Sequence, residues 1–233
     1  MPLVIFLLAW FIFTGGPGIA ITGRLTRDLD PLRRSVVALG VGTAAVPVLI
    51  NVLGRLHLVP AFPYLVVALG GLGLWLARGG LTNESTASIG RTKVLSHTTP
   101  RYATTSRGDL IACAAVVALA VGLGIIVFAH RLETTPDGIV LYGEYDTADL
   151  TYYSGEASEA SHTIPPMAFY YSGHKLNAAY FPHLIFAMIH RFAKVPILSI
   201  YFQYAWPTFL ALSAATGFML VRAIASRGVA TLA

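Results

Sequence analysis

Charge is what this chain most conspicuously lacks where it is most apolar. Five runs, Leu3 to Ile21, Val36 to Leu53, Ala61 to Leu76, Leu110 to Ala129 and Ile197 to Val221, contain no Asp, Glu, Lys, Arg or His. Carriers driven by ion gradients keep ionisable groups near the bilayer midplane, so this absence argues against ion-coupled transport. Cysteine is scarce too. Cys113 stands alone inside the fourth run, which leaves neither a disulfide framework nor a cysteine metal site. No basic residue precedes the first run, and Gly15-Gly16-Pro17-Gly18 is a poor cleavage context. That run is therefore expected to stay as a helix and not to leave as a signal peptide.

What is present is hydrocarbon. Of 233 residues, 55% are hydrophobic and 12% charged, and about 20 helical residues suffice to cross a bilayer core. The sequence predicts an all-α integral membrane protein with about five transmembrane helices. Glycine and proline within the runs do not count against helix, because backbone in lipid must satisfy itself internally. Pro207 is the one proline expected to kink its helix.

Positive charge sets the orientation. One set of loops holds Arg24, Arg27, Arg33, Arg34, Arg78, Arg91, Lys93, Arg101, Arg107, Arg222 and Arg227; the other holds Arg55, Arg131, Lys175, Arg191 and Lys194. The richer set is expected in the cytoplasm. The protein is then a multi-pass protein of the cell (plasma or inner) membrane, with its N-terminus and residues 130–196 extracytoplasmic. The net charge of +5 faces anionic lipid headgroups and calls for no nucleic acid. Asn83-Glu84-Ser85 fits a glycosylation pattern but falls on the cytoplasmic side, where that chemistry does not occur.

Three regions follow. Residues 1–79 form an N-terminal three-helix membrane region, and 80–108 read as a cytoplasmic flexible linker, rich in serine and threonine without apolar periodicity. Residues 109–233 hold the fourth helix, the external loop 130–196 and the last helix. That loop contains seven of the eleven carboxylates, five of the seven histidines and seven of the eleven tyrosines. It is far longer than a connector needs to be, and long loops of such composition tend to carry function.

Breakers outline its local structure. Pro136-Asp137-Gly138 predicts a turn, and Ile139 to Tyr145 a short extended piece on which Glu144 and Asp146 share a side. Asp146 or Thr147 is then placed to cap a helix running to about Ala160, with Asp149 in its first turn. On that helix Asp149, Tyr152 or Tyr153, Glu156 and Glu159 recur three and four apart, which predicts an acidic, solvated face. Ile164-Pro165-Pro166 ends it, and Tyr171-Ser172-Gly173-His174 predicts another turn. Asn177 to Phe192 reads as an amphipathic, juxtamembrane helix lying in the interface, with His183 and His190 on one face.

This order, an acidic motif, a helix leading to Ile-Pro-Pro, a Tyr-Ser-Gly turn and then Tyr180-Phe181-Pro182-His183, resembles the first external loop of multi-pass glycosyltransferases of the GT-C fold. That class includes protein mannosyltransferases and the aminoarabinose transferase of lipid A. The resemblance covers roughly residues 110–221. It implies a polyprenyl-phosphate-linked sugar as donor and transfer at the outer membrane face. Carried onto this chain, it makes Asp146 a general base toward the acceptor hydroxyl, with Glu144 or Asp149 assisting. Glu144 and Asp146 could instead hold magnesium or manganese, since hard oxygen ligands suit those ions. His174, Lys175, Tyr180 and His183 become candidates for holding the donor phosphate and substrate.

Each residue also has a structural reading: Asp146 as a helix cap, the histidines and tyrosines as interfacial anchors. Members of the class carry more spans, and place this loop after their first helix. The chain is accordingly expected to be the N-terminal part, or a truncated relative, of such an enzyme, needing further C-terminal helices or a partner subunit and inactive alone. The rival reading is a small non-catalytic membrane scaffold that binds a partner through its external loop.

Overall fold

The computed structural model describes residues 2–26, 29–78, 106–128, 130–136, 138–142, 146–167 and 180–232. Five of its helices are long and apolar enough to cross a membrane. The first four are α1 (Pro2–Thr22), α2 (Pro31–Arg55), α3 (Phe62–Arg78), which follows a 3-10 turn at Val59–Ala61, and α4 (Arg107–Phe128). The fifth begins with a single helical turn, α7 (Ile197–Ser199), passes through a π-helical turn at Ile200–Tyr204, and continues as α8 (Ala205–Leu232). Most of the expected linker 80–108 lies outside the described residues.

Local sequence explains where these helices start. Asp30 precedes Pro31, and its Oδ1 accepts the Arg33 backbone N–H at 3.1 Å, the usual way of satisfying a free donor at a helix start. Ser106 and Asp109 cap α4 reciprocally: the Ser106 N–H donates to Asp109 Oδ2 at 2.8 Å, and the Asp109 N–H to Ser106 Oγ at 3.1 Å.

Spans in lipid gain nothing from hiding apolar surface from each other, so close backbone approach through small residues holds them together. Glycine supplies that approach on two sides of α1. Towards α2, a Cβ on Gly18 would strike the Ala38 carbonyl, and one on Gly42 the Thr14 carbonyl. Towards α3, a Cβ on Gly16 would meet the Val66 carbonyl at 2.9 Å, and one on Gly73 the Ala20 backbone nitrogen at 2.6 Å. Helices α1, α2 and α3 thus form one close-packed layer.

Helix α4 pairs instead with α8. Gly124 sits against Pro207 and Leu210, and Phe128 stacks on Trp206 with centroids 5.6 Å apart. At the far end of the pair Arg222 Nη2 meets Asp109 Oδ2 at 2.5 Å.

Between α4 and the fifth span the chain builds a cap on one end of the bundle. It opens with a hairpin, β1 (Leu132–Thr135) paired antiparallel to β2 (Gly138–Leu141), with Leu132 opposite Leu141. Gly138 has φ 139°, a backbone conformation that a side chain would strain. Then come α5 (Asp146–His162), a cis Ile164–Pro165 bond, a 3-10 turn at Phe181–His183 and α6 (Leu184–Ala193). Lys194, left-handed at φ 58°, closes α6. The cap sits on α2 through Ile164, which occupies the space a Gly54 side chain would need.

Of the extended piece predicted over Ile139 to Tyr145, Ile139 to Leu141 form strand and Asp146 opens α5, as the predicted cap position requires, while the side that Glu144 and Asp146 were expected to share lies outside the described residues. One expectation is corrected here. The helix expected to lie in the interface is enclosed by protein. Leu184 to Ile189 are all buried, because α6 packs against α5, α1 and α2 together. The apolar surface expected of this amphipathic helix is covered by protein, and the first half of α6, Leu184–Ile189, is core.

Candidate functional site

The cap and the spans meet around a buried polar cluster. His183 closes the 3-10 turn ahead of α6, Glu156 sits mid-way along α5, and Tyr201 lies in the π-helical turn at the head of the fifth span. Their relative exposures are 8%, 3% and 4%. The Tyr201 hydroxyl is 2.6 Å from His183 Nδ1, and His183 Nε2 is 3.7 Å from Glu156 Oε2. Tyr153, one turn before Glu156, stacks on the imidazole with centroids 4.8 Å apart and planes 21° apart.

Burial sets the electrostatics. Removal from water penalises the charged imidazole and lowers the His183 pKa from its ordinary value to about 4. The ring is neutral at physiological pH.

The π turn positions more than Tyr201. Such turns widen a helix by one residue and recur at functional sites. Here it sits just before Pro207, whose ring cannot fit beneath a regular preceding turn, so the irregularity expected of Pro207 takes this form. Gln203 Nε2 donates to the Leu132 carbonyl at 3.2 Å, tying the hairpin down, and Tyr204 lies 5.6 Å from Phe6 of α1.

Below it, a crevice of about 510 Å³ runs between α1 and α2 on one side and α4 and α8 on the other. Leu3, Leu7, Trp10, Val121, Pro207 and Ala211 are among its apolar walls. Gln203, Tyr204 and Thr208 also line it, and Gln203 is the one tied to the hairpin.

The expected site residues separate. Asp146 opens α5, but its side chain lies outside the described residues, as do Glu144, His174 and Lys175. Asp149 is exposed on α5. Tyr180 and His183 are buried. The Tyr180 hydroxyl donates to Asn51 Oδ1 of α2 at 2.7 Å, and His183 faces Tyr201 and Glu156, so both join cap to spans instead of presenting a free cation or hydroxyl to a phosphate. Glu156 is corrected outright: it is not part of a solvated face. Among the described residues, no three His, Cys, Asp or Glu side chains come together as a metal site; the side chains expected to hold magnesium or manganese, those of Glu144 and Asp146, lie outside them.

Sequence reasoning missed Tyr201, Glu156 and Gln203. A signal existed for Glu156. Leu150, Ser154, Ala157 and Ala160 recur at four, three and three residues, a small-residue stripe that marks a closely packed helix, and all four are buried. Comparison with protein-family models, curated proteins and solved structures returns no match for this chain.

Proposed function

We propose that this chain is the N-terminal part of a multi-pass glycosyltransferase that takes a polyprenyl-phosphate-linked sugar as donor and works at the extracytoplasmic, cap-bearing end of the bundle. One observation supports this most: the apolar crevice of about 510 Å³, one of whose lining residues, Gln203, is tied to the hairpin. Ligand pockets commonly measure about 300–1,000 Å³, and an intramembrane one lined by hydrocarbon suits a hydrocarbon chain. Tyr142, which closes the hairpin by donating its N–H to the Arg131 carbonyl, precedes Asp146 by four residues, a reach of at most about 14 Å. A lipid anchored in the crevice would present its head on the side of the bundle where Asp146 starts α5.

In this reading Asp146 takes the proton from the acceptor hydroxyl as that oxygen attacks the anomeric carbon and the lipid phosphate leaves. Asp149, on the first turns of α5, is exposed and free to assist, with Glu144 beside it in sequence. His174 and Lys175 are the remaining candidates for the donor phosphate. Magnesium or manganese, if used, would be held by Glu144 and Asp146.

The test uses membranes from cells expressing the full chain, supplied with labelled polyprenyl-phosphate mannose or arabinose. Asp146→Ala and Asp146→Asn should both lose transfer by about 100-fold or more, the usual cost of removing a general base. Transfer retained by the alanine variant would remove Asp146 from the mechanism and favour a non-catalytic scaffold.

A further inference from the structure

The hairpin leaves α4 at the edge of the membrane. Helix α4 runs 22 residues from Arg107 to Phe128, about 33 Å, so a hydrocarbon core about 30 Å thick ends near Phe128. Trp206, stacked on Phe128 and 44% exposed although inside a span, marks the same level, where amphipathic aromatic rings settle. The Arg131 N–H donates to the Phe128 carbonyl at 3.2 Å, and its guanidinium lies 4.7 Å from the centre of the Phe128 ring. The hairpin therefore starts at the membrane surface.

Register gives the hairpin two faces, because strand residues alternate. On one, Leu132 pairs with Leu141, and both pack on the protein core. The other carries Glu133 and Val140 and, one step past the ladder, Arg131 and Tyr142. We infer that this second face is a membrane-interface anchor: it lies on the headgroup region of the cap-side leaflet, with Val140 turned towards the upper acyl chains. The inference stands apart from the transferase reading and holds whichever way the chain crosses the membrane.

Lipid is the occupant that the surroundings select. The face is continuous with surface that already meets acyl chains, since Arg131 sits on Phe128 and, through it, beside Trp206, directly above Ile126 and Val127, exposed at 71% and 52%. Its chemistry is that of an interface. Arg131 offers a cation to lipid phosphate, Val140 is apolar and 37% exposed, and Tyr142, 47% exposed, joins an apolar ring to a polar tip. The Glu133 carboxylate on this face already accepts the Tyr142 hydroxyl at 2.8 Å.

Backbone sets the depth. A two-stranded sheet has two open edges, whose N–H and C=O groups hydrated headgroups can satisfy and hydrocarbon cannot. The anchor therefore rests in the wet outer zone of the leaflet and goes no deeper. Gln203, by donating to the Leu132 carbonyl, fixes the base of the hairpin to the fifth span at that level.

Spin labels on the purified full chain in lipid nanodiscs test it, in a Cys113→Ser background. The measure is the ratio of collisions with oxygen, which concentrates in lipid, to collisions with a water-soluble nickel chelate. It should be at least about threefold higher at Val140→Cys than at Ala148→Cys, exposed on α5, and lower than at Leu119→Cys, exposed on α4. Ile139→Cys, one residue back on the other face, should match Ala148→Cys. A Val140→Cys ratio equal to that of Ala148→Cys would put the hairpin in water and overturn the anchor. Exclusion of both reagents from Val140→Cys, the mark of a covering protein surface, would overturn it too, as would lipid contact at Ile139→Cys in place of Val140→Cys.

Discussion

The Tyr180 hydroxyl donates to Asn51 Oδ1 across 2.7 Å, joining the chain just ahead of α6 to the cap-side end of α2. Both residues are buried, at 4% and 9% exposure, so neither group has water to fall back on. Tyr180→Phe strands the Asn51 carbonyl and should cost about 1–3 kcal/mol. Combined with Asn51→Leu, the loss should be smaller than the sum of the two single losses, because the double variant strands nothing. Unfolding of the purified protein in detergent measures both. Additive losses would mean that the pair does not act as one contact.

Glycine substitutions should split by position. Gly18→Ala puts a methyl onto the Ala38 carbonyl and Gly42→Ala one onto the Thr14 carbonyl, in both cases against backbone that cannot swing aside. Each should destabilise by about 1–3 kcal/mol and lower the yield of monodisperse protein. Gly40→Ala, two residues from Gly42 on the same helix, meets nothing within 4 Å and should be neutral or stabilising by up to about 1 kcal/mol. Equal effects at positions 40 and 42 would contradict the α1–α2 packing.

Orientation can be read chemically. In a Cys113→Ser background, which removes the native thiol, Tyr142→Cys on the exposed hairpin should react with an impermeant maleimide on intact cells. Ser106→Cys, exposed at the start of α4, should react only after the membrane is opened. The reverse pattern would invert the orientation drawn from the basic residues.

Spans were legible because lipid imposes a simple demand: long uncharged runs must be helical. The bounds of α5, Asp146–His162, were nearly legible as well, since turn and breaker residues such as Ile164-Pro165-Pro166 act through the local backbone. The buried cluster was not. Glu156 repeats with Asp149 and Glu159 at helical spacing, and that period alone cannot tell a face turned to water from a face turned to another helix. What decides is α6, whose buried stretch Leu184–Ile189 looks one-sided only while its neighbours are unknown. Tyr201 and Gln203 were hidden differently: they sit inside an apolar run, where their polar tips read as tolerated exceptions. Only the π turn turns those tips towards the cap.

That turn has a mechanical meaning. Over five residues, Ile200 to Tyr204, the fifth span touches the cap through Tyr201, the hairpin through Gln203 and the first helix through Tyr204. Immediately below, Pro207 withholds one backbone hydrogen bond from α8. A rocking of α8 in the bilayer would therefore pivot beneath a fixed head, and whatever torque reached that head would be delivered to cap, hairpin and α1 at once.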